Sequence, residues 1–325
     1  MPSWQKLEDV KKFEIELSSH CNARCPLCIR QVTGTDKERA GFHKGHITLE
    51  QIEKLVNQLP EPKQVVFYFG GVGGDPMMNP EVVDIFRYCA ERVRGVYMDT
   101  NASLRSKDVW HELGVITKLN KNSSVTFSID GLQDTNHIYR IQTDWNKIMH
   151  NAKTYISAGG IAEWKYIIFK HNEHQLNEAE KLANEMGFTR FIKEPSVRHY
   201  TDDVGELSPE PPSITKKENI RHHALRDAKK INCKVLEKNM MYITHDFKLL
   251  PCCYIHSWEL VNQAESYLDN FKNNLDKISL ADVMNDNFFK DKLMNDWDDC
   301  GPTVCAVNCN QKQYWNKESK VEELQ

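Results

Sequence analysis

Ten cysteines carry the strongest chemical signal in this 325-residue chain, and nine of them fall in two groups. Cys21, Cys25 and Cys28 form C-x3-C-x2-C within His20-Cys21-Asn22-Ala23-Arg24-Cys25-Pro26-Leu27-Cys28. Cys233, Cys252, Cys253, Cys300, Cys305 and Cys309 make up the second group. Three closely spaced thiolates on one loop can hold three irons of a cubane cluster, which leaves the fourth iron open to a small molecule. The same spacing admits a zinc ion with His20 or His43 as a further ligand, or thiols that only pack. Cys89 stands apart on the apolar face of a helical pattern and reads as a small core residue.

Disulfides are the competing use of so many cysteines, and the rest of the sequence argues against them. Lys6, Glu8, Asp9, Lys11, Lys12, Glu14 and Glu16 interrupt the first twenty residues, so the apolar core of a secretory leader is missing there. No apolar run of about 18 residues suggests a membrane span. The expectation is a chain in the reducing cytoplasm, where clustered thiols point first to metal. A net charge of −4 argues against a nucleic-acid or membrane-surface partner.

The elements that must position these residues follow from periodicity. Residues 13–17 alternate apolar and polar, and 65–69 form an apolar run closed by Gly70-Gly71, as buried parallel strands do. Further strand patterns cover 96–98, 125–129, 164–169 and 190–192. Helical patterns at 48–59, 80–93, 106–113, 144–158 and 175–186 separate them. Pro80 suits a first helical turn, and Gly159-Gly160 and Gly187 suit helix ends. Six such units imply a parallel sheet with right-handed crossovers, too short for a closed eight-stranded barrel. A partial barrel and a doubly wound sheet both remain open, and either puts chemistry at the C-terminal strand ends. The pattern breaks near Pro195. Ser208-Pro-Glu-Pro-Pro-Ser213 reads as a linker, and 216–230 as a charged, solvated helix.

The polar residues at those strand ends are few. Phe69-Gly70-Gly71-Val72-Gly73-Gly74-Asp75-Pro76 follows the second strand and lacks the Lys-Ser/Thr of a phosphate loop. Asp99-Thr100-Asn101 ends the third strand and Ser128-Ile129-Asp130-Gly131 the fourth. Strand-end capping is the plain alternative for each. Arg140 reads equally as a surface residue or as a bidentate partner for a carboxylate. Lys170-His171-Asn172-Glu173-His174 ends the fifth strand with polar groups toward the same end.

At these residues the chain resembles the radical S-adenosylmethionine (radical SAM) superfamily. The Cys21–Cys28 loop after strand one is similar to that family's signature, with Leu27 in the apolar place before the last cysteine. Gly73-Gly74-Asp75-Pro76 resembles its G-G-E-P element, with Asp75 where Glu is usual. The resemblance implies an α/β fold, a partial (β/α)6 TIM-like barrel over residues 1–195. It implies a [4Fe–4S] cluster on Cys21, Cys25 and Cys28, completed by S-adenosylmethionine (SAM). The backbone at Gly73, Gly74 and Asp75 would hold the methionine amino group. Ser128 is the better candidate for the SAM carboxylate or ribose, then Asp130 and Asn101, with Arg140 pairing the carboxylate. The products implied are methionine and a 5′-deoxyadenosyl radical, with a reducing partner such as a flavodoxin or ferredoxin.

The second cysteine group resembles the SPASM and Twitch auxiliary-cluster domains appended to many such enzymes. With six cysteines and no early C-x2-C, one auxiliary [4Fe–4S] cluster is the better count, as in Twitch. The expected ligands are Cys233, Cys252, Cys305 and Cys309, two thiols from a hairpin and two from a later loop, with Cys253 and Cys300 as alternatives. The expected division is 1–195 core, 196–230 linker and helix, and 231–325 auxiliary domain, the last a lateral cover for the open barrel. The functional expectation is a radical SAM oxidoreductase or modifying enzyme. It acts on a peptide, a protein or a small molecule by dehydrogenation, crosslinking or epimerisation. A two-zinc adaptor and a two-cluster electron-transfer protein are the alternatives from other classes.

Overall fold

The structure is a computed structural model that describes residues 4–196, 205–213, 231–261, 267–295, 297 and 303–309. Six strands lie in sequence order: β1 Lys12–Glu16, β2 Val66–Gly70, β3 Gly95–Thr100, β4 Ser124–Ser128, β5 Ala162–Ile168 and β6 Arg190–Pro195. Each pairs in parallel with the next. Because every strand adds on the same side, the right-handed crossovers put all the connecting helices on one face. That sequential order decides for the partial barrel over the doubly wound sheet. Among the described residues the sheet does not close.

Side-chain alternation fixes which residues face the helices. Phe13, Ile15, Phe67, Phe69, Val96, Met98, Val125 and Phe127 are almost wholly buried. They join one core with residues of α1 (Leu49–Val56), α2 (Val82–Arg92) and α3 (Lys107–Leu119), among them Ile52, Leu55, Ile85 and Trp110. Full burial of each such side chain contributes about 1.5–3 kcal/mol. Cys89 is one of these core residues, with no measurable exposure. The alternate positions, Lys12, Glu14, Glu16, Tyr68, Tyr97 and Asp99, face the other, inner side. The helix read over 106–113 continues to Leu119, because Ile116 and Thr117 still face the core. Pro80 sits in the turn before α2 rather than in its first turn.

The C-terminal segment joins this sheet directly. β7 (Met240–Ile243) pairs in parallel with β1, and β8 (Leu249–Leu250) pairs antiparallel with β7. The sheet order is therefore β6-β5-β4-β3-β2-β1-β7-β8. The segment expected as a lateral cover thus extends the β1 edge as strands. The Pro-rich stretch read as a linker is docked: Leu207 N donates to Gly34 O, Lys170 N to Glu210 O, and Ser213 N to the Glu173 carboxylate. It forms a strap from the loop after the cysteines to the end of β5. The helix expected over 216–230 lies outside the described residues.

Candidate functional site

Cys21, Cys25 and Cys28 sit on the loop that leaves β1, and the loop closes on itself as Cys28 N donates to Cys25 O at 2.9 Å. Two polar side chains reach the sulfurs. Asn101 Nδ2, just past β3, lies 3.8 Å from Cys21 Sγ, and an Arg140 guanidinium nitrogen lies 3.8 Å from Cys25 Sγ. Ala23, Leu27, Tyr139 and Phe169 enclose the loop in a small apolar cluster of its own. Burial raises the Cys21 thiol pKa, and Asp75 and the neighbouring thiols add to the rise. Burial pushes Cys25 up to about 11, even with Arg140 opposing it. Such thiols ionise only against strong positive charge, which cluster irons supply, so the donor set fits an iron–sulfur group.

Asp75 anchors the Gly-rich loop to the end of β3. It is 4% exposed, and its oxygens accept from Met77 N, Thr100 Oγ1, Asn101 N and Asn101 Nδ2 at 2.7–3.1 Å. Burial nonetheless raises its pKa. All of the donors come from the chain itself, which assigns the Asp in the place of Glu a tying role. The Asn101 amide that reaches Cys21 is aimed by this carboxylate and by Asn22 Oδ1. Gly74 lacks a side chain for a reason inside the chain: a Cβ there would lie 1.6 Å from Ser18 O.

Asp130 is fully buried, with one oxygen on Arg140 Nε at 2.6 Å and the other on Ile167 N at 2.6 Å. Arg140 is therefore held by Asp130 while it faces Cys25. Ser128, half-buried, ends β4 beside Lys165 of β5. His171 stacks on Phe169 at 5.3 Å, and burial brings its pKa down to about 4, so it stays neutral.

Glu16, His245 and His256 carry no motif and were not singled out from sequence. Glu16 ends β1, is fully buried, and accepts from Gly73 N at 3.0 Å. Its other oxygen faces His245 Nδ1 at 3.0 Å and His256 Nε2 at 3.4 Å. Burial alone would raise its pKa; the two histidines more than offset that and hold it below the usual carboxylate range. His245 follows β7, and His256 lies on the helix Cys253–Val261. One carboxylate thus connects the Gly-rich loop to the C-terminal segment. A charge alternating with apolar residues on β1 was the only trace of this in the sequence. Arg30, also missed, donates to Ser19 O and Gly73 O and pairs with Glu38.

The second cysteine group is assembled from three segments. Cys233 precedes the short helix Lys234–Glu237, Cys252 follows β8, and Cys305 and Cys309 lie on the helix Thr303–Cys309. The last two are therefore one helical turn apart, not on a loop as expected. Burial raises the Cys252 pKa, and Cys305, Cys233 and Cys309 add to it through space. Burial likewise pushes Cys233 up to about 11, with Cys309 contributing. Cys253 differs: besides Cys252, the charges nearest to it are Glu14 and Lys12 of β1. Cys300 lies outside the described residues. Among the described residues no three His, Cys, Asp or Glu side chains gather as they would around a single metal ion.

Comparison with known proteins follows the same lines. The model of the radical SAM superfamily matches residues 15–186, more than half of the chain. The chain belongs to the radical SAM superfamily. A curated relative, the tungsten-containing aldehyde ferredoxin oxidoreductase cofactor-modifying protein of Pyrococcus furiosus, is 29% identical over 104 residues. That match covers 32% of this chain and 27% of the relative, so the chain spans only a part of it. Streptococcus suis SuiB bound to its precursor peptide SuiA superposes with a TM-score of 0.57 at 16% identity, over 86% of this chain and 65% of SuiB. The anSMEcpe structure with bound AdoMet and the Cp18Cys peptide gives 0.55 at 14% identity, over 86% of this chain and 80% of that one. At these identities the two structures share the fold with this chain. Among the described residues no helix is long and apolar enough to cross a membrane.

Proposed function

We propose that the chain is a two-cluster radical SAM enzyme that cleaves SAM reductively and abstracts hydrogen from a peptide, protein or small-molecule substrate. Cys21, Cys25 and Cys28 carry the SAM-binding [4Fe–4S] cluster. Cys233, Cys252, Cys305 and Cys309 carry an auxiliary [4Fe–4S] cluster that passes electrons or anchors the substrate. When bound, cluster and SAM supply the one-electron chemistry that yields methionine and a 5′-deoxyadenosyl radical. The protein's own residues position and shield this. Asn101 and Arg140 orient the cysteine loop through the sulfurs, Asp75 and Glu16 hold the Gly73-Gly74 backbone, and Ser128 contacts SAM. The 205–213 strap keeps water from the strand ends.

The observation that carries the reading is the pair of side chains on Cys21 and Cys25 at the C-terminal strand ends, where barrel enzymes keep their chemistry. A donor of the flavodoxin or ferredoxin kind would supply the electron to the group held by Cys21, Cys25 and Cys28. The fold shared with SuiB, crystallised with its precursor peptide, favours a peptide substrate. Dehydrogenation, crosslinking and epimerisation all follow from the same hydrogen abstraction. Anaerobic reconstitution with iron and sulfide, followed by dithionite and SAM, is expected to release 5′-deoxyadenosine. Equal release from Cys25→Ala protein would refute the assignment.

A further inference from the structure

The inner face of the barrel carries a second polar group, one pleat deeper than the Glu16–Gly73 contact. Glu14 of β1 stands in register with Tyr68 of β2 and with Tyr242 of β7, so the three side chains leave the same face of adjacent strands. Tyr68 OH donates to Asp99 Oδ2 at 2.7 Å, which adds a second carboxylate. Cys253 borders the group from the C-terminal helix.

This group is short of partners. Tyr242 is fully buried, and its hydroxyl makes no well-formed hydrogen bond among the described residues, although the Val72 backbone lies near it. The Glu14 carboxylate makes no hydrogen bond or ion pair with any described side chain, while its backbone is paired in the sheet. Lys12, the nearest cation, lies 4.3 Å from the centre of the Tyr68 ring instead of on a carboxylate. A buried hydroxyl without a well-formed hydrogen bond and a sparsely solvated carboxylate are both unfavourable, and each is relieved by a ligand that supplies donors and positive charge. Burial brings Glu14 up to about 7, with Lys12 opposing the rise and Asp99 and Glu16 adding to it.

We propose that Glu14, Asp99, Tyr68 and Tyr242, bordered by Lys12 and Cys253, form a substrate-anchoring subsite for an organic cation, an ammonium or guanidinium group. An ammonium offers three donors, enough for Glu14, the remaining Asp99 oxygen and the Tyr242 oxygen. A neutral hydroxyl would leave the Glu14 charge with only Lys12 to offset it. The subsite lies roughly 7 Å along β1 from Glu16, two residues of strand rise, which puts an anchored substrate below the Gly-rich loop. The inference rests on the radical SAM reading and names the substrate class for it. It also gives β7 a role beyond packing, because Tyr242 completes the subsite.

Calorimetry on the reconstituted full chain with SAM tests this, with 5′-deoxyadenosine release measured on the same sample. The probes are Nα-acetyl-lysine N-methylamide, 1,5-diaminopentane and the neutral isostere Nα-acetyl-norleucine N-methylamide. Both cations are expected to bind about tenfold or more tightly than the neutral isostere. The stronger of the two tells a peptide-borne amine from a free one. Glu14→Gln is expected to lose about tenfold of that binding and Tyr242→Phe several-fold. Glu50→Gln on the exposed face of α1 leaves it unchanged. Tyr242→Phe and Asp99→Asn serve if Glu14→Gln does not fold. Equal binding of the neutral probe, or no loss in these variants while 5′-deoxyadenosine still forms, overturns the subsite. Absence of 5′-deoxyadenosine with cation-selective, Glu14-dependent binding retained would overturn the catalytic reading and leave the subsite standing.

Discussion

Cys21, Cys25 and Cys28 come from one short loop, and the fold adds Asn101 and Arg140 around sulfurs that are already neighbours. Cys233, Cys252, Cys305 and Cys309 come from three separate segments, and folding itself must bring them together. The first group hangs from a sheet whose core of Phe, Ile and Trp side chains is complete without it. In the second, Cys305 belongs to the core, with Cys233 and Cys252 packed against it. The contrast teaches that loss of a ligand should harm chemistry at the first site and folding at the second.

The sharpest way to break that contrast is a pair of single substitutions. Cys25→Ala is expected to lower 5′-deoxyadenosine formation by on the order of a thousandfold or more, since the open-iron cluster loses one of only three ligands. Its thermal midpoint should stay within about 5 °C of the parent, because the core is untouched. Cys252→Ala should do the reverse. Iron should fall from roughly eight to four per chain, and the C-terminal segment should become protease-sensitive. Cys253→Ala, whose thiol faces β1, is expected to keep its iron. Cys253→Ala losing four irons with Cys252→Ala keeping them would reverse the assignment of the two.

Glu16 is where the two regions touch, and it is also where sequence reading was blind. The cysteine loop, the strand order and the Gly-rich turn were legible because each is local: a spacing, a period or a run of glycines. The Glu16–His245–His256 contact joins residues more than two hundred positions apart, and no local pattern reports such a pair. The docking of the 205–213 segment escaped for the same reason, since Pro-rich composition describes the chain and not what it lies on. Likewise, Asp75 read as a departure from a motif, whereas three of its four donors, from Thr100 and Asn101, become visible only when β3 lies beside the loop.

Glu16→Ala leaves two histidines and the Gly73 N–H facing a buried void, so a loss of about 3–5 kcal/mol is expected from denaturant unfolding. Because the folded pKa of Glu16 is depressed, its stabilisation is present above the normal carboxylate range and lost as pH falls through the folded value. The stability gap between parent and variant should therefore narrow in acid. A gap independent of pH would mean that the carboxylate does not couple the two regions. Weaker SAM binding in the variant, by calorimetry, would show that the C-terminal segment reaches the Gly-rich loop through this residue.

A smaller effect is expected from Asn101→Ala. The amide touches Cys21 but also Asp75 and Asn22, so it positions a ligand rather than supplying one. A loss of about 10–100-fold in SAM cleavage, with iron content unchanged, is the expected size for such a residue. A shifted electron paramagnetic resonance signal of the reduced first cluster would locate the effect at Cys21; loss of iron would instead make Asn101 part of the scaffold.

The smallest expected change is a gain. The folded pKa of Glu14 is raised to about 7, chiefly by burial, so its contribution to stability is fully present below the ordinary carboxylate range and is lost as pH rises from there through that value. At pH 8 the parent carries a charged, sparsely solvated carboxylate, and Glu14→Gln removes the charge at nearly constant shape. The variant is expected to be more stable than the parent at pH 8 by about 1–2 kcal/mol, less than the full linkage because the side chain keeps some solvent contact. Below the ordinary carboxylate range the two should unfold together. If the parent is the more stable at pH 8, the inner-face carboxylate is already compensated, and no cation is needed to complete it.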